Sequence, residues 1–209
     1  MKKKVSIIDY GMGNVQSLKN IFDILNCDTI VTSNEEIINK SDAIILPGVG
    51  AFKRAMYQIK KKKLDKVIYK QVNKNKPILG ICLGMQLFFE KSYEFGITNG
   101  LKLIDGKVDK LSYSKTFKLP HIGWNEINSN KVNAKKNIIK NIRKKNCFYF
   151  VHSFHCIPKF QKNVIATSSY DTQKFCSVVA KNKIYGCQFH PEKSGKTGKI
   201  FLINFLEEV

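Results

Sequence analysis

The most restrictive feature of this sequence is a series of short apolar segments separated by stretches with helical spacing. Val5 to Asp9 is the first, ended by Gly11-Met12-Gly13-Asn14. From Val15 to Leu25, Leu18, Ile21, Phe22 and Leu25 fall on one face of a helix. Asp28 to Thr32 reads as a second strand and Ala43 to Leu46 as a third, closed by Pro47-Gly48. A single lysine-rich amphipathic helix is expected over Phe52 to Asn73, then a fully apolar strand over Pro77 to Ile81. Uninterrupted apolar strands alternating with helices require a parallel sheet covered on both faces. The second half is richer in strands: Cys147–Val151, Val164–Ser168, Cys176–Ala180 and Ile184–Gln188, with a closing helix from Lys196 to Glu207. Segment 105–146 has no clear period. No repeat, low-complexity stretch or linker divides the 209 residues, so one domain over 1–209 is expected.

Charge narrows the function classes. The formal net charge of +20 is carried almost wholly by scattered lysine, with Arg54 and Arg143 the only arginines. Arginine is the residue suited to bidentate phosphate contacts, and no nucleic-acid motif accompanies the charge, so no nucleic-acid partner is expected. No apolar run approaches the roughly 18–20 residues that span a bilayer. The N-terminal Lys2-Lys3-Lys4 followed by Val5–Asp9 is too short and too polar for a signal peptide, which points to a cytoplasmic chain with no membrane partner. The six cysteines (Cys27, Cys82, Cys147, Cys156, Cys176, Cys187) show no Cys-x-x-Cys spacing, so neither zinc nor a redox pair is indicated.

Cys82 stands apart. Gly80-Ile81-Cys82-Leu83-Gly84-Met85-Gln86 sets a cysteine between glycines, directly after an apolar strand and before the helical-looking Leu87, Phe88 and Phe89. This is the Gly-x-nucleophile-x-Gly pattern of a sharp strand-to-helix turn. Such a turn exposes the sulfur near a helix N-terminus, which favours a thiolate, and lets the Leu83 amide act as an oxyanion donor. An isolated pattern of this kind also fits a buried cysteine in a tight turn. A cysteine nucleophile needs a histidine nearby in space. His190 follows the strand Ile184–Gln188, and Glu192, two residues on, can accept from its second ring nitrogen, giving Cys-His-Glu in chain order. His152 and His155 are alternative bases without an adjacent acid.

Taken together these segments resemble the class I, triad-type glutamine amidotransferases and, within them, the glutaminase subunits of imidazole glycerol phosphate synthases of histidine biosynthesis. The resemblance runs over nearly the whole chain: Asp9–Asn14, Pro47-Gly48-Val49-Gly50-Ala51-Phe52, Gly80–Gln86, Leu119–Asn125, Tyr149–Ser153 and Gln188–Ser194. It implies an α/β, single-domain class I glutamine amidotransferase-like fold: a mostly parallel central sheet flanked by helices, with additional antiparallel strands. It implies Cys82 as nucleophile, His190 as proton shuttle and Glu192 as its orienter. Val49 and Gly50 would complete the oxyanion hole with Leu83, and a peptide flip there is a natural on-switch. Gln86 and Glu94 match glutamine-holding positions, as do the backbones of Ser153 and Phe154. Trp124, Tyr149 and Lys193 match the contact with a cyclase subunit, a (βα)₈ barrel that receives the ammonia. No metal and no cofactor are implied. Where such families continue with tyrosine after Val151-His152-Ser153, this chain has Phe154-His155-Cys156. Relatives of these subunits also feed sugar-modifying synthetases of surface-polysaccharide pathways, an alternative acceptor.

Overall fold

The computed structural model describes residues 2–112, 118–129, 137–143 and 145–209. The first half alternates as expected: β1 (Lys4–Ile8), α1 (Val15–Ile24), β2 (Asp28–Thr32), α2 (Glu35–Lys40), β3 (Ala43–Leu46), α3 (Phe52–Lys61), α4 (Leu64–Asn73), β4 (Ile78–Ile81) and α5 (Leu83–Leu87). There follow β5 (Phe89–Ser92), β6 (Thr98–Asn99), β7 (Ile104–Lys110), β8 (His121–Glu126), β9 (Asn128–Ser129), β10 (Cys147–His152) and β11 (Phe154–Pro158). The chain closes with β12 (Val164–Tyr170), β13 (Gln173–Lys181), β14 (Ile184–Cys187) and α6 (Gly195–Glu207).

Eight strands form the main sheet in the order β2-β1-β3-β4-β14-β13-β12-β9. The first five are parallel and the remaining three antiparallel. Apolar side chains fill both faces, as the unbroken apolar strands require. On one face, α1 and α6 cover Ile7, Ile45, Leu79 and Tyr185. On the other, α3 and α4 cover Ile8, Ile44, Leu46 and Ile78. Two smaller sheets are added at the carboxyl end of the parallel strands: β11-β7-β5-β6, and the two-stranded ribbon β8–β10.

Three expectations are corrected. The single helix over 52–73 is two helices, broken at Lys63, which takes the left-handed conformation at φ +56°. Its cause is phase. Ile59 and Leu64, both buried, are five residues apart, which a continuous helix would set about 140° apart around its axis; the break returns Leu64 to the core, and the crowded Lys60–Lys63 charges disfavour continuation. The helix after Cys82 stops at Leu87, and Phe89 is the first residue of β5, paired with Ile104. An apolar run this short does not distinguish helix from strand. Within 105–146, parts of which (113–117, 130–136 and 144) lie outside the described residues, the chain forms β8, β9 and most of β7. Among the described residues no helix is long and apolar enough to cross a membrane.

Candidate active site

Cys82 sits at the end of β4 with φ +53° and ψ −110°, a conformation a non-glycine residue holds only when its surroundings over-determine it. Its amide donates to the Cys187 carbonyl at 2.8 Å, fastening the turn to the end of β14. Two glycines make the turn possible. A methyl group on Gly84 would lie 1.8 Å from the Leu46 carbonyl oxygen, and one on Gly80 would lie 2.7 Å from the Gly84 backbone. The Pro47–Gly50 loop packs against this knuckle, with Gly48 so close that its Cβ would meet the Gly84 nitrogen and Leu83 Cβ at 2.8 Å. The two loops thus form one block.

The chain after β14 supplies the partners. The chain bends at Gln188 and Phe189 as it leaves β14, which sends their side chains in different directions. Phe189 turns into an aromatic cluster, its ring 3.9 Å from that of Phe148, while Gln188 and His190 turn to the sulfur. Gln188 Nε2 donates to Cys82 Sγ at 3.6 Å. His190 Nδ1 donates to Glu192 Oε1 at 2.8 Å, with the two side chains only 3% and 1% exposed. That bond sets the tautomer and leaves Nε2, buried and without a hydrogen-bond partner among the described residues, as the acceptor facing the thiol. Burial alone would push the imidazole down, but Cys82 and the Glu192 carboxylate outweigh it and hold the ring up at about 10. The site therefore favours imidazolium beside sulfur.

The other expected residues fall at three places. Gln86, nearly buried, donates both amide hydrogens internally, to the Phe154 carbonyl at 3.0 Å and to Gln188 Oε1 at 3.1 Å. The Ser153 carbonyl accepts from the Leu111 amide at 2.9 Å, so both backbones line the junction of β10 and β11 beside Gln86. Glu94 accepts from the Phe52 amide at 2.6 Å, at the first turn of α3 where an acid is favoured, and burial raises its carboxyl above the ordinary range. Leu83 begins α5, whereas Val49 and Gly50 are exposed and Gly50 has φ +90°. Trp124 and Tyr149 pair across the ribbon with rings 5.9 Å apart, and Lys193 Nζ lies 5.6 Å from the Tyr149 ring centre. Trp124 is 59% exposed, so this cluster is a surface and not a core.

Three features were missed in the sequence, at Tyr10, Gln188 and Ser194, and the alternative bases His152 and His155 find other surroundings. Tyr10, fully buried, donates to the Pro47 carbonyl at 2.7 Å and anchors the start of the loop that Glu94 anchors at its end. Burial raises its phenol, with the Cys82 charge adding to the effect. Gln188 reaches the sulfur; the signal available was its position two residues before His190. His121 and His152 are cross-strand neighbours whose rings meet at 3.2 Å, Nδ1 to Nε2. Burial pushes His152 down to about 3 and His121 to about 4, so neither acts as a base at neutral pH. His155, likewise lowered chiefly by burial, is turned to Gln173. Ser194 ties its own loop to β10, donating to the His190 carbonyl at 2.6 Å and accepting from the Tyr149 amide at 3.0 Å.

Residues 6–209 match the family model described as "Glutamine amidotransferase class-I". The chain belongs to the class-I glutamine amidotransferase family. As a member of that family it is 40% identical over 203 residues to the imidazole glycerol phosphate synthase subunit HisH of Chlorobaculum tepidum, covering 97% of this chain and 99% of that protein. It is 43% identical to subunit HisH 2 of Methanococcus maripaludis, covering 98% and 99%. Among solved structures, a glutamine amidotransferase matches with a TM-score of 0.75 at 14% identity, covering 97% of each chain. The PurLQS structure from Thermotoga maritima matches with 0.74 at 18% identity, covering 100% of this chain and 99% of that one. These two establish likeness of fold, including the mixed sheet expected for a class-I amidotransferase.

Proposed function

We propose that this chain is the glutaminase subunit of an imidazole glycerol phosphate synthase, one domain over 1–209 that acts in the cytoplasm. The observation that carries the chemistry is the buried His190–Glu192 pair beside a strained cysteine turn. The relatives' shared name carries the pathway. Cys82 Sγ, its proton already on His190 Nε2, attacks the side-chain carboxamide carbon of glutamine. The carbonyl oxygen gains the negative charge and is met by the Leu83 amide and the Val49–Gly50 backbone. His190 returns the proton to the departing nitrogen, ammonia leaves, and a thioester remains. Water, deprotonated by the same imidazole, then releases glutamate and restores the thiol.

Gln86, Glu94, Ser153 and Phe154 hold the glutamine. With both amide hydrogens of Gln86 committed, its Oε1 is the atom left for the substrate. Glu94 supplies the negative charge for the ammonium group. The exposed Trp124–Tyr149–Lys193 cluster is the face for the cyclase barrel, whose recognition suits aromatic rings and a cation at a rim. Ammonia then passes to the cyclase and not to bulk water. The test is glutamate release from glutamine by the purified chain, alone and with the cyclase plus its nucleotide ligand. Stimulation by the complex and loss of turnover in Cys82→Ala are expected. A folded Cys82→Ala protein that still turns over would refute the nucleophile, and absence of stimulation would refute the partner.

A further inference from the structure

The hydrogen bonds around Cys82 fix the orientation of an amide that the sequence leaves undetermined. A backbone carbonyl only accepts, so the group of Gln86 that lies 3.0 Å from the Phe154 oxygen is its NH₂ and not its oxygen. The same NH₂ lies 3.1 Å from one terminal atom of Gln188, which must then be the acceptor Oε1. The other terminal atom of Gln188, 3.6 Å from Cys82 Sγ, is therefore the donor Nε2. The Phe154 carbonyl is held in turn: His152 Nδ1 donates to it at 2.9 Å, and His152 Nε2 accepts from His121 Nδ1 at 3.2 Å. Each bond in the series has a single permitted direction, and the series ends with an N–H aimed at the sulfur.

We propose that Gln188 holds the reactive thiolate of Cys82 by donating its side-chain N–H to the sulfur, and that Gln86 is the clamp that keeps this donor turned toward it. Gln188 is wholly buried, and its backbone amide is tied to the Ser177 carbonyl at 2.9 Å, so the donor cannot swing away to water. It approaches the sulfur from the segment that also carries His190, two residues on. Besides His190, the thiol faces the Val151 carbonyl at 3.9 Å, which accepts only from the protonated form. Ionisation gives up that long bond and strengthens the one from Gln188, because a hydrogen bond to a charged acceptor exceeds one to a neutral acceptor. The effect of Gln188 thus selects the ionised nucleophile. Gln86 has the same duty in addition to any contact with glutamine. This assignment rests on Cys82 being the nucleophile, and the test separates the two.

The experiment is the rate of Cys82 alkylation by iodoacetamide between pH 6 and 10, read by mass spectrometry on the full chain, with Cys82→Ala as the control. Cysteines 27, 156, 176 and 187 are buried, and burial raises all four thiols, so they are poor competitors. Gln188→Glu keeps the shape and still accepts from Gln86, but turns an oxygen toward the sulfur. Gln188→Met keeps the length and removes the donor. In both, alkylation at neutral pH should fall by roughly tenfold and recover at high pH, whereas a purely structural defect would lower it at every pH. Gln86→Leu should give the same upward displacement of the profile, to a lesser degree. A folded Gln188→Glu protein with the wild-type profile overturns the assignment. Equal alkylation of wild type and Cys82→Ala would overturn the nucleophile itself, a different failure. If Gln188→Met does not fold, the glutamate variant alone decides.

Discussion

Replacing Glu192 by glutamine changes one atom and tests the base directly. The carboxylate is 1% exposed and accepts from His190 Nδ1 at 2.8 Å, while its second oxygen is buried with no partner among the described residues. Glutamine has two ways to sit there, and both are unfavourable. With its oxygen toward His190, the NH₂ occupies the position of that second oxygen, where no acceptor waits, costing about 1–3 kcal/mol. With its NH₂ toward His190, Nδ1 must accept, so the ring proton moves to Nε2 and the base is blocked. Either way the imidazolium loses a buried carboxylate, and a charge-assisted bond of this kind is worth about 1.5–3 kcal/mol. The expected fall in kcat is then roughly 10- to 150-fold, with KM little changed, measured as glutamate release in the stimulated complex. A second readout follows from linkage. His190 is held up at about 10 in the folded chain, above the free-imidazole value near 6.5. Its pairing therefore stabilises fully below about pH 6.5 and is lost as pH rises through about 10. Glu192→Gln should flatten the loss of thermal stability over that alkaline window. An unchanged kcat together with an unchanged alkaline slope would refute the reasoning.

Tyr10→Phe removes only the hydroxyl that bonds the Pro47 carbonyl. It should cost about 1–3 kcal/mol in denaturant unfolding and lower kcat more than it raises KM; wild-type values for both would show that Tyr10 does not anchor the loop. Gly84→Ala places a methyl 1.8 Å from the Leu46 oxygen and should yield little folded protein; a soluble variant with normal activity would contradict the packing of the turn. His121 and His152 are pushed down to about 4 and 3, below the free-imidazole value, so their stabilisation is present above about pH 6.5 and lost as pH falls through those values. His121→Phe retains stacking on Phe150 and Tyr170 and should give a shallower fall of melting temperature between pH 6.5 and 4 than the wild type; an equal slope would assign the acid sensitivity elsewhere.

The parallel half of the main sheet was legible because each strand there is a short apolar run with a turn signal at its end. Asp28–Thr32 and Ala43–Leu46 fall on the residues read from the sequence. The elbow and the His190–Glu192 turn were legible for another reason: the groups that meet in space are neighbours in sequence, or are flanked by glycines that only a tight turn explains. The α3–α4 break was not, because its cause is the angle at which Leu64 meets the core, a property of the packed neighbour and not of the local residues. The ribbon β8–β10 and the sheet built on β5 and β7 were hidden for a similar reason. Their strands mix polar and apolar residues, and only their pairing across long separations gives them an inside. Gln188 was hidden in the opposite way, inside an apolar strand-like run where an amide reads as an irregularity. Its direction toward sulfur depends on Gln86 and Phe154, and no spacing rule connects those three.

Tyr149 turns its ring outward to Trp124 and Lys193, and its main chain inward. Its carbonyl accepts from the His190 amide at 2.9 Å, and its amide donates to Ser194 Oγ, which in turn donates to the His190 carbonyl at 2.6 Å. The ribbon that carries it has two strands and pairs with no third among the described residues. Mechanically it is a beam fixed to the base-bearing loop on the β10 side and tied to β12 on the β8 side, where Asn125 Nδ2 donates to the Ser169 carbonyl and Ser168 Oγ to the Glu126 carbonyl, each at 2.7 Å. A load placed on the outer aromatic rings is carried by the three bonds of Tyr149 and Ser194 to the peptide groups of His190, so the outer aromatic face and the imidazole have a common suspension. Stiffness at this joint, and not distance from the thiol, sets how far a substitution on the outer face is felt at the imidazole.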